Sequence, residues 1–149
     1  LKHHRPTTGL EAKFSAEFAV ASALVAGNVG LQEVNDAFVN RADVQALMKK
    51  VRVTTNENYD PEAPGFSKAD QVFVKLADGR RLESRPISHA LGNAKRPLAP
   101  EDLRRKFLDC IATGDAGIDA ETLFDTLQAL DSVKKCGELY TIRKSARAA

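Results

Sequence analysis

The chain has 149 residues, 43% of them hydrophobic and 28% charged, with a formal net charge of +2. That balance describes a soluble globular chain holding one ordinary domain, or a domain with the end of a neighbour; it excludes two full-sized domains and lacks the basicity of a nucleic-acid binder. No apolar run approaches the roughly 20 residues needed to span a bilayer, so no membrane association is expected.

Residues 1–5 set Lys2 and His4 against His3 and Arg5, as a short strand entering a turn at Pro6 would. Thr8 with Glu11 three residues on has capping-box spacing, so a helix is predicted to start there and run to Gly27. Leu10, Phe14, Phe18, Ala21 and Val25 recur at helical spacing, while Ala19, Val20, Ala23 and Leu24 fill the other faces. A helix apolar nearly all round packs on several sides. Two shorter amphipathic helices follow, one carrying Leu31, Val34 and Phe38, the other carrying Val44, Leu47, Met48 and Val51 after an Asp43 cap.

Val51–Thr55 alternates as a strand, and residues 56–69 read as a long polar loop. Gln71–Leu76 and Arg80–Arg85 flank Asp78-Gly79, the dipeptide of a type I′ turn, which predicts a hairpin with Val72, Val74 and Leu76 toward the core. Pro86, Gly92 and Pro97 break regular structure and mark a boundary. Beyond it, Pro100 suits the first position of a helix with Glu101 and Asp102 in its first turn and Leu103, Phe107 and Cys110 or Ile111 as its apolar stripe. Asp119 caps a second helix with Leu123 or Phe124, Leu127 and Leu130 inward, and the tail beyond Ser132, with Lys134, Lys135, Arg143, Lys144 and Arg147, reads as solvated. The sum is an α+β fold: residues 1–97 form a small domain of helices packed on an antiparallel sheet, and residues 98–149 a C-terminal helical segment.

Cys110 and Cys136 form no C-x-x-C pair and make a poor disulfide framework, so a reducing, cytoplasmic setting is expected. Cys110, on an apolar stripe, reads as core and not as a nucleophile. His3 and His4 are neighbours that a strand would point to opposite faces, so no metal site is expected. Phosphate-loop, dinucleotide-binding and nucleophile-elbow patterns are absent. Arg80, Arg81, Arg85, Lys95 and Arg96 against Glu83 concentrate positive charge, which reads first as a solvated hairpin and second as a surface for an anionic substrate or an acidic partner. His89, in the boundary segment, reads equally well as a loop hydrogen-bonding residue. The chain opens at Leu1 without an initiator methionine and is expected to be a piece of a longer protein.

Several ordered blocks carry a resemblance. RPTTGLEAKFS leads into a helix ending ALVAGNVGL; RADVQALMKKVRV follows, then VFVKLADGRRL, then GNAKRPLAPEDLRRKF and a final helix. From the His-Arg-Pro segment to about Leu130, the chain resembles the C-terminal part of the MmgE/PrpD family, whose members include 2-methylcitrate dehydratases, cis-aconitate decarboxylases and an iminodisuccinate epimerase. The resemblance implies a large helical domain, built from the N-terminal region and the C-terminal end, with a smaller α+β lid between. Residues 1–97 then look like most of the lid, and residues 98–149 like the segment returning to the helical domain. It also implies a homodimer and reactions of small polycarboxylates (dehydration, decarboxylation or epimerisation) without a metal or organic cofactor. The family's upstream signature, K-x-[YF]-P-x-C followed by His, is not in this sequence. The implied partner is therefore a missing N-terminal helical domain carrying most of the catalytic residues, and the fragment is expected to be inactive alone.

Without a cofactor, proton transfer beside a carboxylate falls to positioned side chains. Arg5 offers a planar fork suited to a carboxylate, and Lys13 and Ser15, near the start of a buried helix, offer charge and hydrogen bonding; these three are the expected substrate-binding residues across the implied cleft. His4 is the candidate acid or base. Each has a plainer reading: Thr8 and Glu11 as caps, Phe14 as core, Lys13 as the neutraliser of Glu11 or Glu17, and either histidine as a surface or packed residue. The competing function is a non-catalytic protein-binding module on the same scaffold.

Overall fold

In a computed structural model of the chain, which describes every residue except Asn56, Asp115, Ala116 and 144–149, regular structure begins just after Thr8. The strand predicted over residues 1–5 does not form. His3 instead gives its backbone N–H to Phe14 O (3.2 Å), so this segment lies along a turn and has no strand partner. Thr8 caps α1 (Gly9–Ala12) by accepting the Glu11 N–H at 3.3 Å, while the Glu11 carboxylate reaches back one residue further, to the Thr7 N–H at 2.9 Å, a variant of the capping box.

The single helix predicted from Thr8 to Gly27 is two helices. Ser15 turns to extended backbone and its hydroxyl accepts the Phe18 N–H (3.1 Å), which starts α2 (Ala16–Ala26) afresh. Gly27, at φ 69°, closes α2 as predicted. Burial on all sides is not realised: Phe18, Ala21 and Ser22 are buried, but Leu24 is 53% exposed, and Leu10 and Phe14, both expected inward, are 69% and 51% exposed.

An Asn35 cap limits α3 to Asp36–Val39, with Leu31 and Val34 in the preceding turns, so the helix predicted around them is shorter than expected. In α4 (Ala42–Met48), Asp43 sits inside the first turn, bonded to the Arg41 side chain and the Val44 N–H, instead of capping it. The core forms where α2 packs on α4: Ala12, Phe18, Ala21, Val39, Val44 and Met48 are buried together. Phe18 meets Phe38 edge to face with ring centroids 6.2 Å apart. Gly9 is required where α1 crosses the backbone before α3, since a Cβ there would stand 2.8 Å from Val34 O and 2.9 Å from Asn35 Cα.

No strand forms over residues 51–55, and a hairpin appears inside the predicted loop, β1 (Tyr59–Asp60) pairing antiparallel with β2 (Ala63–Ser67). The predicted second hairpin is present, β3 (Phe73–Lys75) on β4 (Arg81–Glu83) in the register Phe73↔Glu83 to Lys75↔Arg81. Its turn differs from the expected type I′: the positive φ falls on Gly79 (89°) and not on Asp78, and Leu76 N–H bonds Arg80 O (2.8 Å) around a three-residue loop. Val74 and Leu76 are half-buried, while Val72 is exposed and the Arg81 guanidinium covers the Phe73 ring at 4.7 Å.

Pro100 opens α5 (Pro100–Gly114), and Asp119 caps α6 (Ala120–Gln128) through the Thr122 N–H at 3.2 Å, as predicted. Phe107 meets Phe124 at 5.4 Å between centroids, and Arg104 lies over the Phe124 ring while pairing with Glu121 and Asp125. Leu103, Cys110 and Leu130, all expected inward, are exposed. Short 3-10 turns follow at Leu130–Ser132 and Cys136–Thr141; Lys144 and Arg147 of the basic tail lie outside the described residues.

The architecture is α+β, with two separate two-stranded antiparallel sheets and C-terminal helices. By contacts, the chain divides into Leu1–Val53 with Glu101–Ala149, and Thr54–Pro100. The cut after Val53 falls inside the 1–97 stretch, where helices give way to hairpins. Among the described residues no helix is long and apolar enough to cross a membrane. Phe18→Ala is expected to lower stability by about 3–5 kcal/mol, whereas Phe14→Ala changes it by less than about 1 kcal/mol. Urea denaturation followed by circular dichroism measures both, and equal losses would contradict this placement of the core.

Candidate functional site

The segment ahead of α2 is held by hydrogen bonds from α3 and α4. Pro6, fully buried, accepts the Gln45 amide at its carbonyl (3.0 Å); Thr7 O accepts the Asn40 amide (2.7 Å); and the Gly9 N–H is given to Asp36 Oδ1 (2.7 Å). With His3 N–H on Phe14 O, these bonds lay residues 3–9 beside the turn between α1 and α2. The turn itself is built by two caps in succession, Thr8 for α1 and Ser15 for α2.

At that junction a carboxylate is buried. Glu17, 7% exposed, accepts from His4 Nδ1 at 2.7 Å through Oε1, and Ser15 Oγ stands 3.5 Å from its Oε2. Burial pushes the Glu17 carboxyl up, but the bonds from His4, its own backbone N–H and Ser15 outweigh it and hold the group below the ordinary carboxylate range. An ionised carboxylate only accepts, so His4 Nδ1 donates, and in a neutral imidazole this leaves the lone pair on Nε2. The His4 side chain is 73% exposed, so its unpaired edge is open to solvent. A surface imidazole oriented by a buried carboxylate can take up or deliver a proton in a fixed direction.

Beside it, His3 Nδ1 lies 4.0 Å from Glu11, whose carboxyl the Thr7 backbone N–H holds below its ordinary range, with further help from Thr8, the Thr7 hydroxyl and His3. Arg5 and Lys13 are exposed, and among the described residues neither makes a side-chain hydrogen bond or ion pair. Lys13 therefore does not neutralise Glu11 or Glu17, whose partners are Thr7 with His3 and His4 with Ser15. Ser15, 2% exposed, spends its oxygen on the Phe18 N–H and faces Glu17, which places it beneath the surface and not on it.

The structure thus joins His4 and Ser15 through Glu17, a residue that sequence reasoning passed over. The signal was there: Glu17 is the sole charged residue of a helix apolar but for it and Ser22, AEFAVASALVA. Buried charges are rare unless paired, and its partner had to come from elsewhere in the chain. Among the described residues no group of three His, Cys, Asp or Glu side chains gathers to hold a metal.

A family model described as the MmgE/PrpD C-terminal domain matches residues 1–129. The cis-aconitate decarboxylase of Mus musculus is 26% identical over 140 residues, and that of Homo sapiens 26% identical over 141; each match covers 93% of this chain and 28% of the relative. The chain therefore spans little more than a quarter of the length of these curated relatives.

Glu17 binds its proton more weakly folded than unfolded, so its contribution to stability is complete above the unfolded value and is lost as pH falls through the folded one. Glu17→Gln removes that contribution: the variant is expected to be less stable at neutral pH and to lose stability less steeply between about pH 5 and 3. Chemical denaturation across this range tests it, and an unchanged acid limb would mean that the ionised Glu17 is not tied to the fold.

Proposed function

Because the chain belongs to the MmgE/PrpD family through that family's C-terminal domain, we propose that it is part of an enzyme acting on small polycarboxylates by proton transfer beside a carboxylate, with dehydration, decarboxylation or epimerisation as the outcome. Its relatives named as cis-aconitate decarboxylases support a tricarboxylate-like substrate and a lyase chemistry. The observation that carries the reading on this chain is the His4–Glu17 pair on the same short stretch of sequence as two exposed, uncommitted cations, Arg5 and Lys13.

In this reading Arg5 and Lys13 hold substrate carboxylates, Arg5 through two parallel N–H bonds and Lys13 as a point charge. His4 Nε2 moves the proton, and Glu17 stabilises the imidazolium formed when it accepts one. Ser15 serves through Glu17, holding the carboxylate's second oxygen, and acts as a positioning residue. No step requires a metal or an organic cofactor. The remaining acid and base groups come from the N-terminal helical domain of the family fold, and the 149-residue chain alone binds without turning over. The open apolar side chains of Leu10 on α1, Phe14 in the turn after it and Leu24 on α2 support a further helical domain packing there, in a homodimeric enzyme of the cytoplasm.

Citrate titrated into the 149-residue chain is expected to shift backbone amide resonances of residues 3–17 saturably. Replacing Arg5 and Lys13 together by alanine should weaken that binding at least about tenfold. Shifts confined to other residues, or tight association with a protein and none with citrate, would transfer the weight to a non-catalytic binding module.

A further inference from the structure

The unit Thr54–Pro100 holds a second concentration of charge, which the reading above does not use. A concavity of about 310 Å³ is lined by Arg85, Pro86, Ile87, Ser88, His89, Lys95 and Arg96. Arg85 and Lys95 are ten residues apart in sequence, so two stretches of chain bring three permanent cations to one hollow, and no carboxylate is among its described lining residues. The volume lies at the lower end of the range for small-molecule sites.

The cations are mounted on hydrogen-bonded backbone. Ile87 exchanges both backbone bonds with Asp70 (2.9 and 3.0 Å), which fixes the Arg85–His89 side. On the other side, Gly92 N–H bonds Arg96 O and Arg96 N–H bonds Asn93 O, both at 2.8 Å, in a loop that needs the positive φ of Gly92 (95°). Their charges are also largely unspent. Arg85 makes no side-chain hydrogen bond or ion pair among the described residues. Arg96 gives one N–H to His89 O at 3.2 Å, which orients the guanidinium and leaves its other donors. Lys95 has Glu62 at 3.4 Å, an exposed pair that water and salt already weaken. Three like charges held together repel unless an anion joins them, and a small molecule with two or more oxyanion groups satisfies more of these donors than a single-charge ion.

We propose that the hollow lined by Arg85, Ser88, His89, Lys95 and Arg96 binds a small polyanion, a di- or tricarboxylate or a phosphate compound. The proposal stands on the unit Thr54–Pro100 alone and does not depend on the chemistry assigned to His4.

Citrate and inorganic pyrophosphate, added separately to the full 149-residue chain at low salt, supply the carboxylate and phosphate arms. Either is expected to shift amide resonances within residues 85–96 saturably, and the tighter of the two names the oxyanion. Arg85→Gln, at an exposed side chain outside the fold's hydrogen bonds, should weaken that binding about tenfold, and Lys95→Gln should weaken it less. The variant with alanine at positions 5 and 13 should retain it. Shifts that never saturate with either anion, or saturable binding that Arg85→Gln leaves unchanged, would overturn the proposal. In the unsubstituted chain, absence of shifts at residues 3–17 with those at 85–96 present would overturn the polycarboxylate reading alone.

Discussion

The arrangement of the N-terminal half depends on keeping one carboxylate charged beneath the surface. Removing an unpaired carboxylate from water costs several kcal/mol even after relaxation, so Glu17 can sit in the wall of the core only if donors come to it. Ser15 is near in sequence, but its hydroxyl is shared with the Phe18 N–H, and the stronger donor is His4, thirteen positions away. To deliver that imidazole, the chain has to double back over the start of α2. The break between α1 and α2, the buried Pro6 and the Gln45 and Asn40 amides on the Pro6 and Thr7 carbonyls all belong to that return path. The same bond that keeps Glu17 ionised presents the imidazole outward, so structure and candidate chemistry share a cause.

The proposed chemistry sets a demand that this portion meets in part. Proton transfer beside a carboxylate needs an anion clamp, a base and an acid, held while water is excluded. Arg5 and Lys13 stand as uncommitted cations and His4 as an oriented base, all in the open and on a short backbone segment. On the proposed reading, an exposed constellation of this kind is half of a cleft. The family anatomy, in which a lid and a helical domain face one another, supplies the other half on the proposed reading.

What was legible in the sequence followed from local rules. Thr8, Gly27 and Asp119 act as the caps their types predict, and the second hairpin forms about the Asp-Gly pair, because these devices depend on a few neighbouring residues. The failures came where a local signal met a competitor. Ser15 offered a cap inside an apolar run and divided a helix that periodicity alone would have continued, and Asn35 cut short the helix expected around Leu31. Leu10, Phe14, Cys110 and Leu130 read as core because apolar periodicity tells which side of a helix seeks cover and not whether this chain provides it. Of the site, Arg5, Lys13, Ser15 and His4 were legible as chemistry, but the bond joining His4 to Glu17 is long-range and left no spacing pattern to read. The blocks resembling the MmgE/PrpD family were legible because they combine several such local devices in a fixed order.

The two hairpins are separate two-stranded ribbons, so every strand has one flank without a ladder partner in its sheet. Open flanks of this kind invite strands from other molecules to add on, and a chain with Phe66 and Phe73 at its surface is exposed to that hazard. Its strands carry their own deterrents. β2 has Pro64, which lacks the N–H a new neighbour would need, followed by Gly65 at φ 90°, a conformation that departs from a regular ladder. β4 reads Arg81-Leu82-Glu83 and β3 ends in Lys75, so a second copy sliding alongside would have to desolvate charge to pair. The charges that make this ribbon look like a solvated surface thereby oppose edge-to-edge joining of copies of the chain.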